Sequence, residues 1–317
     1  MIQGAYCMTV VCALFFTQCT MFRKLLISIF ISSAVLATAA TPQSAAGRLL
    51  AEGAVKSVTS AEEWSLGQGV RESDVAVIKP DGCPARLYIV EADLTNQAVK
   101  LQVATPGDTC VATGNTRATL TEMHRCLSER GRKAVALVNG DFWDVKTQDV
   151  RGPLHRRGQV VKNHFCYRPR FWQQALSFIG VMDNGDIAIA DTLAYSGAAS
   201  RLKEATGAGI IVLRNGEVPV TPQKKLDPRT FIGSTSRGGV VIITADGRDE
   251  KGSAGLTYAE MGAIMRALGC YQAVNLDGGG SAQFFSARPD GTAAIRNHPT
   301  DGKERPVVNA WMITTDN

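Results

Sequence analysis

The sequence predicts an α+β protein in which one domain combines a mixed or antiparallel sheet with a few packed helices. Three observations favour this class: apolar alternations separated by tight turns outnumber helical patterns, two helices open at capping boxes, and the composition is that of a globular domain. Of the 317 residues, 45% are hydrophobic and 20% are charged. These proportions are ordinary for folded domains, so the chain can bury a sizeable core.

The predicted strands and helices each follow a local signal. Capping boxes at Thr119–Glu122 and Thr257–Glu260 open two helices, and a short third helix is expected near 197–205. Period-two apolar runs bounded by turn residues indicate strands. The predicted strands are 86–94, 99–104, 134–138, 229–234, 240–245, 273–276, 283–286 and 307–314. Residues 41–84 show weak periodicity and are interpreted as a leader into a domain spanning 85–317.

The first forty residues have the pattern of a secretory signal peptide. A basic segment that opens at Met21 precedes the apolar stretch 25–36 and an Ala-x-Ala end at 37–39. The stretch is shorter than the about 20 residues that a membrane span needs. A second apolar patch at 10–16 leaves an N-terminal membrane anchor as the alternative interpretation. We therefore predict a signal peptide at 1–40 with its true start at Met21, and an exported protein that is periplasmic or secreted.

Charge and cysteine content narrow the function classes. The formal charge of +5 comes from 34 basic and 29 acidic residues, and no concentrated basic face of the kind that binds nucleic acid is evident. The five cysteines beyond residue 40 are an odd number without CxxC spacing. This usage leaves the disulfide pattern open and disfavours a zinc site.

The sharpest local signal is Asp-Gly-Gly-Gly-Ser at 277–281, directly after a predicted strand. Consecutive glycines carry a conformational-entropy penalty, so a functional need for them is expected: the backbone can approach a ligand, and its N–H groups can form an anion-binding nest. Asp277 would then act as base, nucleophile or metal ligand; a plain tight turn is the alternative. No Gly-Lys-Ser/Thr follows, which excludes a P-loop. Gln283 replaces the closing glycine of a nucleophile elbow, which disfavours an acyl-transfer pair of Ser281 and His298.

A second signal is Asn139-Gly140-Asp141-Phe142, where another apolar strand ends. In both segments a capping box opens a helix, a glycine ends that helix, and a buried strand then leads to an aspartate. If this echo is real, two equivalent strands deliver Asp141 and Asp277 to one edge of a sheet. An Asx turn and a coincidence of common motifs are the alternatives.

The third signal is a basic stretch from Arg151 to Trp172 that contains six basic residues, two histidines and several aromatics but no acid. Such a run is either a solvated face or a lip that contacts an anionic sugar, because arginine forks match phosphate oxygens. No His-x-His or His-Glu-x-x-His spacing is present, so no dedicated transition-metal centre is predicted.

With these residues in view, the chain resembles the phosphodiester glycosidase family. That family includes the lysosomal uncovering enzyme, which removes N-acetylglucosamine from a phosphodiester on mannose, and exported bacterial proteins, some described as exopolysaccharide-related. The matching pieces stand in the family's order and cover about 85–315: Val138–Phe142, Arg229–Gly233, Ala245–Arg248, Asn275–Ser281, and Arg296–Pro299 running to Arg305–Ala310. Family members often have a small residue where this chain has Phe231, which implies a different substrate shape.

The resemblance implies hydrolysis of a sugar-1-phosphate diester by glycosidic C–O cleavage, acting on a phosphate-bearing sugar or polysaccharide. Asp277 or Asp141 would activate water or stabilise the sugar cation, and Arg229, with Arg151 or Arg305, would hold the phosphate. The other residues that we predict to bind substrate are Asn139, Gly140, His155, Asn275, Gly278, Gly279, Gly280, Ser281 and Asn309. No cofactor is implied.

Two other functions remain open at the level of sequence. The first is a non-catalytic binder of cell-envelope polysaccharide that uses the same cleft. The second is a metal-dependent phosphodiesterase in which Asp141 and Asp277 share Mg²⁺ or Ca²⁺ and the P–O bond is cleaved instead of the C–O bond.

Overall fold

The computed structural model describes residues 43–110, 116–221, 224–249 and 251–316. The predicted signal peptide and its start at Met21 lie outside the described residues. Four α-helices and 17 strands within the described ranges confirm the α+β class. In this part of the chain, no helix combines the length and apolar character that a membrane crossing needs.

The elements are distributed over three antiparallel sheets. The helices are α1 (Ala45–Ala51), α2 (Leu120–Glu129), α3 (Tyr195–Ala198) and α4 (Tyr258–Ala267). The strands are β1 (Ser57–Gly67), β2 (Val70–Ile78), β3 (Pro84–Asp93), β4 (Val99–Ala104), β5 (Ala134–Asn139), β6 (Leu154–Arg156), β7 (Gln159–Lys162), β8 (Ser177–Met182), β9 (Ile187–Asp191), β10 (Leu202–Ala208), β11 (Ile211–Leu213), β12 (Arg229–Thr235), β13 (Gly239–Ala245), β14 (Cys270–Asn275), β15 (Phe284–Ala287), β16 (Ala293–Ile295) and β17 (Ala310–Thr315). The large sheet has the order β1-β2-β3-β13-β12-β14-β11, the small sheet β16-β15-β5-β17-β4, and the side sheet β7-β6-β10-β8-β9.

The core is layered because the strands of the large and small sheets alternate between two apolar faces. On β13, Ile242 packs between the two sheets, whereas Ile243 packs against α1 and α4. On β17, Trp311 faces the large sheet and Met312 faces α2. The order of layers is therefore α1 and α4, large sheet, small sheet, α2.

The two predicted capping boxes are both present. The Thr119 hydroxyl accepts from the Glu122 N–H while the Glu122 carboxylate accepts from the Thr119 N–H, and Thr257 and Glu260 repeat this exchange. The predicted helix near 197–205 is confirmed over 197–201, where a 3-10 turn (Ala199–Arg201) continues α3, and is wrong beyond that point because β10 begins at Leu202. Pairing of β10 with both β6 and β8 outweighs the helical propensity of its alanines.

Within the segment 41–84, interpreted from sequence as a leader, the described residues 43–84 instead belong to the folded domain. Helix α1 packs Leu49 into the layer of α4, and β1 and β2 extend the large sheet from β3. The apolar pattern that would have predicted these strands is absent because β1 is an edge strand with mostly half-buried or exposed positions. On β2, polar Glu72 and Ser73 are themselves buried.

The large and small sheets meet at one edge. In the large sheet, β12 begins and β13 ends there, since Arg229 lies opposite Ala245. In the small sheet, β5 ends opposite the start of β17, where Asn139 faces Ala310. The strands that deliver Asp141 and Asp277 therefore belong to different sheets, which corrects the prediction of a single shared sheet edge.

Candidate active site

Asn139 and Gly140 join the two sheets at this edge. The Asn139 Nδ2 donates to the Asp277 carbonyl oxygen at 2.7 Å, and the Asp277 N–H donates to the Gly140 carbonyl oxygen at 3.0 Å. The Asn139 Oδ1 accepts from the Thr230 hydroxyl at 2.7 Å. The side-chain amide of Asn139, which was predicted to contact substrate, therefore holds the two strand ends together.

Asp141 lies directly beyond this junction with only 2% of its surface exposed. Its N–H donates to the Asn309 Oδ1 at 2.8 Å, and its Oδ2 accepts from the Gly152 N–H at 2.8 Å. A side chain at Gly207 would bring a Cβ to 2.6 Å from the same Oδ2. The carboxylate is thus enclosed by backbone that only glycine permits at this position.

Asp277 is half-buried and faces the same junction. Burial raises its pKa to about 6, against the opposing effects of the Ser281 hydroxyl, the Gly278 N–H, Arg305 and the Trp143 indole. The Gly278 N–H donates to the Asp277 Oδ1 at 2.9 Å.

Burial likewise raises the pKa of Asp141 to about 7. The Gly152 N–H and Lys162 oppose this shift, and the negative charge of Asp277 adds to it. Two interacting carboxylates that titrate near neutrality are the arrangement found where acid and base chemistry occur together. Burial thus raises the pKa values of both Asp141 and Asp277 toward neutrality.

Three buried polar atoms around this pair have no hydrogen-bond partner among the described residues. They are the Asp141 Oδ1, the Asn275 Oδ1 and the Asn309 Nδ2. Asn275 ends β14 and accepts at its carbonyl oxygen from the Gly209 N–H at 2.8 Å, next to the strand that carries Gly207. Buried polar groups are normally paired, and a set of two acceptors and one donor suits hydroxyl groups, which both donate and accept.

The glycine turn makes room for two guanidinium groups. A side chain at Gly280 would overlap the guanidinium of Arg305, and one at Gly279 would lie 2.9 Å from the Arg248 Nη2. The predicted anion nest is wrong for two of its N–H groups, because Gly278 donates to Asp277 and Gly279 donates to the Pro228 carbonyl oxygen at 2.9 Å. Positive side chains, not these two backbone donors, supply the charge beside the turn.

Arg305 and Arg248 flank Asp277 with partly exposed side chains. The Arg305 Nε and Nη2 donate to the Asp301 carboxylate at 2.7 and 2.9 Å, its Nη1 donates to the Ser281 hydroxyl at 3.3 Å, and its side chain is 34% exposed. The Arg248 Nε donates to the Asp227 Oδ1 at 3.1 Å, and its side chain is 48% exposed. Arg305 was predicted; Arg248 was missed as a site residue, although Ala245–Arg248 stood among the matching pieces.

Arg229 reaches the site edge but is engaged internally. Its Nε, Nη1 and Nη2 donate to the Leu256 carbonyl oxygen, the Tyr258 hydroxyl and the Lys225 carbonyl oxygen at 3.1–3.2 Å. The guanidinium also lies over the Tyr258 ring, 4.3 Å from its centroid. These contacts favour a supporting role beneath the glycine turn over the predicted grip on phosphate.

Replacing Arg229 with lysine is therefore expected to destabilise the fold. Lysine cannot reproduce three divergent donors, and each lost hydrogen bond to a buried acceptor costs about 1–3 kcal/mol. The midpoint of chemical unfolding should fall, while Arg237→Lys, at an exposed position on the β12–β13 turn, should leave it unchanged. If the Arg229→Lys variant is as stable as the parent but loses substrate affinity, the predicted role of Arg229 in binding phosphate would instead be supported.

Arg151 and His155, both predicted to bind substrate, contact other side chains in the structure. The Arg151 Nη2 pairs with the Asp144 Oδ2 at 3.0 Å, and its guanidinium lies near the Phe171 ring. The His155 Nε2 lies 2.6 Å from the Tyr195 hydroxyl, and burial lowers the pKa of this histidine. His155 thus belongs to the core of the side sheet.

The structure bears on two further sequence inferences. Phe231 is fully buried against α4 and cannot shape the substrate site. His298 bonds through Nδ1 to the Asp246 Oδ2 at 2.9 Å, while Ser281 contacts Arg305. Ser281 and His298 therefore have separate partners, in line with the prediction that Ser281 is not a nucleophile.

Trp143 is a site residue that the sequence did not single out. It follows the Asn-Gly-Asp-Phe motif by one position, is largely buried, and its indole lowers the pKa of Asp277. Arg117 lies over the Trp143 ring, with the Arg117 Cζ 4.8 Å from the ring centroid. A tryptophan directly after such a motif is the signal that could have revealed it.

A cavity of 410 Å³ opens beside the site. Val150, Lys162 and Val308 are among the residues that line it. Val150 precedes Arg151 and Val308 precedes Asn309 in the sequence, and the charge of Lys162 lowers the pKa of Asp141. A larger cavity of 670 Å³ lies at the opposite end of the large sheet, around Asp93 and Gly239. Neither Asp141 nor Asp277 lines either cavity, so the carboxylate pair is defined by its side-chain contacts and not by a cavity.

Comparison with known proteins agrees with the motifs. A sequence profile described as phosphodiester glycosidase matches residues 132–314, which contain both aspartates and the glycine turn. A prophage-derived protein of Bacillus subtilis, YomE, is 41% identical over 87 residues, a stretch that is 27% of this chain and only 13% of that protein.

Solved structures share the fold. The catalytic domain of zebrafish N-acetylglucosamine-1-phosphodiester alpha-N-acetylglucosaminidase, described as auto-inhibited by its pro-peptide, superposes with a TM-score of 0.60 at 15% identity. The match covers 81% of this chain and 88% of that domain. A hypothetical protein from Synechocystis gives a TM-score of 0.56 at 13% identity, covering 81% of this chain and 64% of that one.

Proposed function

The chain belongs to the phosphodiester glycosidase family, and on that premise we propose that it hydrolyses sugar-1-phosphate diesters at the Asp141–Asp277 pair. One observation carries the proposal. Two carboxylates from different sheets converge where three buried polar atoms lack partners, with the guanidinium groups of Arg305 and Arg248 alongside. Sugar hydroxyls would satisfy the unpaired atoms, and phosphate oxygens would bind the guanidinium groups.

In this proposal Asp277 acts on the anomeric carbon. Cleavage of the C–O bond releases a phosphate monoester, which is already a good leaving group, so the main demands are stabilising the oxocarbenium-like sugar and activating water. Asp277 is the more exposed carboxylate and is ionised above its pKa of about 6. It would take the proton of the attacking water, while Arg305 and Arg248 neutralise the departing phosphate.

Asp141 would bind and polarise the sugar. Its Oδ1 is unpaired while its Oδ2 is fixed by the Gly152 N–H. Together with the Asn309 Nδ2 and the Asn275 Oδ1 it offers a directional set of contacts to sugar hydroxyls. A hydrogen bond from a hydroxyl to this carboxylate strengthens as positive charge grows on the ring, which lowers the barrier.

The proposed substrate is an exported glycan or glycoconjugate that bears phosphate, and the proposed compartment is the periplasm or the exterior. The signal-peptide pattern at 1–40 supports export. No nucleic-acid partner and no cofactor form part of this proposal.

Hydrolysis in ¹⁸O-labelled water tests the bond that breaks. Attack at the anomeric carbon places the label in the sugar, and attack at phosphorus places it in the phosphate. We expect the label in the sugar, with activity unchanged by a chelator. Label in the phosphate together with loss on chelation would support the metal-dependent phosphodiesterase, in which Asp141, Asp277 and the Asn275 Oδ1 are the available oxygen donors.

A non-catalytic binder predicts a different result. It would bind a phosphate-bearing glycan without turnover, and Asp277→Asn would leave that binding unchanged. The convergence of two carboxyl groups whose pKa values are raised by burial favours the enzyme, because such groups cluster at catalytic sites.

A further inference from the structure

Four arginines surround a single carboxylate in the turn that follows β4. The Arg132 Nη1 lies 2.8 Å from the Asp108 Oδ1, and the Arg157 Nη2 lies 2.8 Å from the Asp108 Oδ2. Arg156 also pairs with Asp108, and the Arg130 Nη1 lies 3.7 Å from its Oδ2. We call these four residues, Arg130, Arg132, Arg156 and Arg157, the arginine cluster.

Positive charge exceeds negative charge in the arginine cluster. The nearby Glu204 accepts from the N–H groups of Val103 and Arg157, and burial raises the pKa of this carboxyl. Burial, with repulsion from Arg157 and Arg156, holds the pKa of Arg132 below its usual value even though Asp108 opposes the shift. Charges this close normally have partners of opposite sign, and two carboxylates cannot neutralise four guanidinium groups.

Two members of the cluster present their guanidinium groups to solvent. The side chains of Arg130 and Arg157 are 49% and 42% exposed. Both hydrogen bonds from Arg157 to Asp108 come from its Nη2. A guanidinium has five N–H donors in a fixed fork, so an incoming phosphate can bind on the outer side of these two arginines.

A groove of 430 Å³ lies between the arginine cluster and Trp143. It is lined by Gly107, whose carbonyl oxygen accepts from Arg130, and by Arg117. Arg117 stacks on Trp143, which contacts Asp277. Pro106, Thr109 and Thr116 line both this groove and the 410 Å³ cavity.

We propose that the arginine cluster is a second anion subsite that binds a phosphate of a polymeric substrate, at a distance from the phosphodiester that is cleaved. The inference rests on the proposed function and deepens it. It makes the substrate a linear glycan with repeating phosphodiesters, lying along the groove from Trp143 to Arg130, instead of a lone phosphodiester at a chain end.

Binding to the full chain carrying Asp277→Asn tests this subsite without turnover. The probes are two fluorescent oligosaccharides of equal length, one with a single phosphodiester and one with two. We expect the two-phosphodiester probe to bind more tightly at low ionic strength. Adding Arg130→Gln and Arg157→Gln should weaken the binding of the two-phosphodiester probe about tenfold, because charge-assisted contacts are lost. The affinity for the single-phosphodiester probe should change by no more than about twofold.

Arg201→Gln is the matched control. Arg201 is an exposed arginine paired with Asp183 in the side sheet, and its replacement should change neither affinity. Arg130→Gln alone gives a milder variant if the double change impairs folding, which thermal unfolding will show. Equal binding of both probes, or an equal loss for both on removing the arginines, would overturn the subsite.

The same measurements separate this inference from the proposed function. If the unmodified chain cleaves neither probe but the arginine variants still lose the two-phosphodiester probe selectively, the subsite stands and the enzymatic proposal fails. If the unmodified chain cleaves both probes with the same KM and the arginine variants do likewise, the enzymatic proposal stands and the subsite fails.

Discussion

Replacing Asp277 with asparagine is expected to lower kcat for sugar-phosphodiester hydrolysis by about 10³-fold, within the range of losses seen when a positioned base is removed. Asparagine keeps the size of the side chain and can still accept from the Gly278 N–H. It can neither take a proton from water nor stabilise a sugar cation. The loss should therefore lie in kcat, measured by release of the sugar under saturating substrate, with a smaller change in KM.

Asp290→Asn is the control for this experiment. Asp290 is an exposed carboxylate in the β15–β16 turn that bonds to Thr292, and its replacement should leave kcat unchanged. Undiminished hydrolysis by the Asp277 variant would remove this residue from the mechanism. Such a result would leave Asp141 as the remaining carboxylate of the pair.

How far the sequence predicts this site depends on which contacts are local. Both capping boxes, the strands before Asp141 and Asp277, and the glycine turn are local patterns, and the structure contains them all. The family resemblance rested on those same pieces and is confirmed by the match over 132–314. The convergence of Asp141 with Asp277 was anticipated from an echo between two segments.

The errors all concern long-range partners. Arg229 and His155 have residue types suited to substrate binding, yet their atoms bond to Tyr258 and Tyr195, which nothing in the neighbouring sequence indicates. The glycine turn was expected to present N–H groups, but the carbonyl oxygen of Pro228, the residue before β12, accepts one of them. Gly207 shows the same limit, because its need for glycine arises only from its approach to Asp141.

Residues 43–78 were missed for a related reason. Edge strands and strands with buried polar residues lack the clean alternation that predicts a sheet. Glu72 is buried on β2 because it pairs with Arg288 at 2.6 Å, a residue 216 positions away. The stabilising partner of a buried charge cannot be inferred from a pattern that extends over ten residues.

Replacing Asp141 with asparagine is expected to impair hydrolysis and, at the same time, to stabilise the fold at neutral and alkaline pH. Burial raises the pKa of Asp141 from its ordinary 3.8 to about 7 in the folded state. The unfolded chain therefore releases this proton at a lower pH than the folded chain does. Ionisation thus favours the unfolded state, and the resulting penalty grows from about pH 4 to about pH 7 and is constant above that.

Asparagine removes this penalty without emptying the site. Its amide oxygen can accept from the Gly152 N–H in place of Oδ2, and its NH₂ group would occupy the position of the unpaired Oδ1. A shift of this size corresponds to an upper bound of about 4 kcal/mol. The free energy of unfolding of the Asp141 variant should match that of the parent below pH 4 and exceed it above pH 7.

Asp290→Asn should behave in the opposite sense. The bonds from Thr292 lower the pKa of Asp290, so its contribution to stability is present at neutral pH and is lost as the pH falls through the folded-state pKa. Equal stability of the Asp141 variant and the parent across the whole pH range would show that Asp141 titrates normally. An ordinary carboxylate there would be ionised throughout the neutral range, and the paired titration proposed for Asp141 and Asp277 would no longer hold. If the Asp141→Asn variant gains stability and loses turnover, the ionised Asp141 carboxylate lowers the stability of the fold and is needed for the reaction.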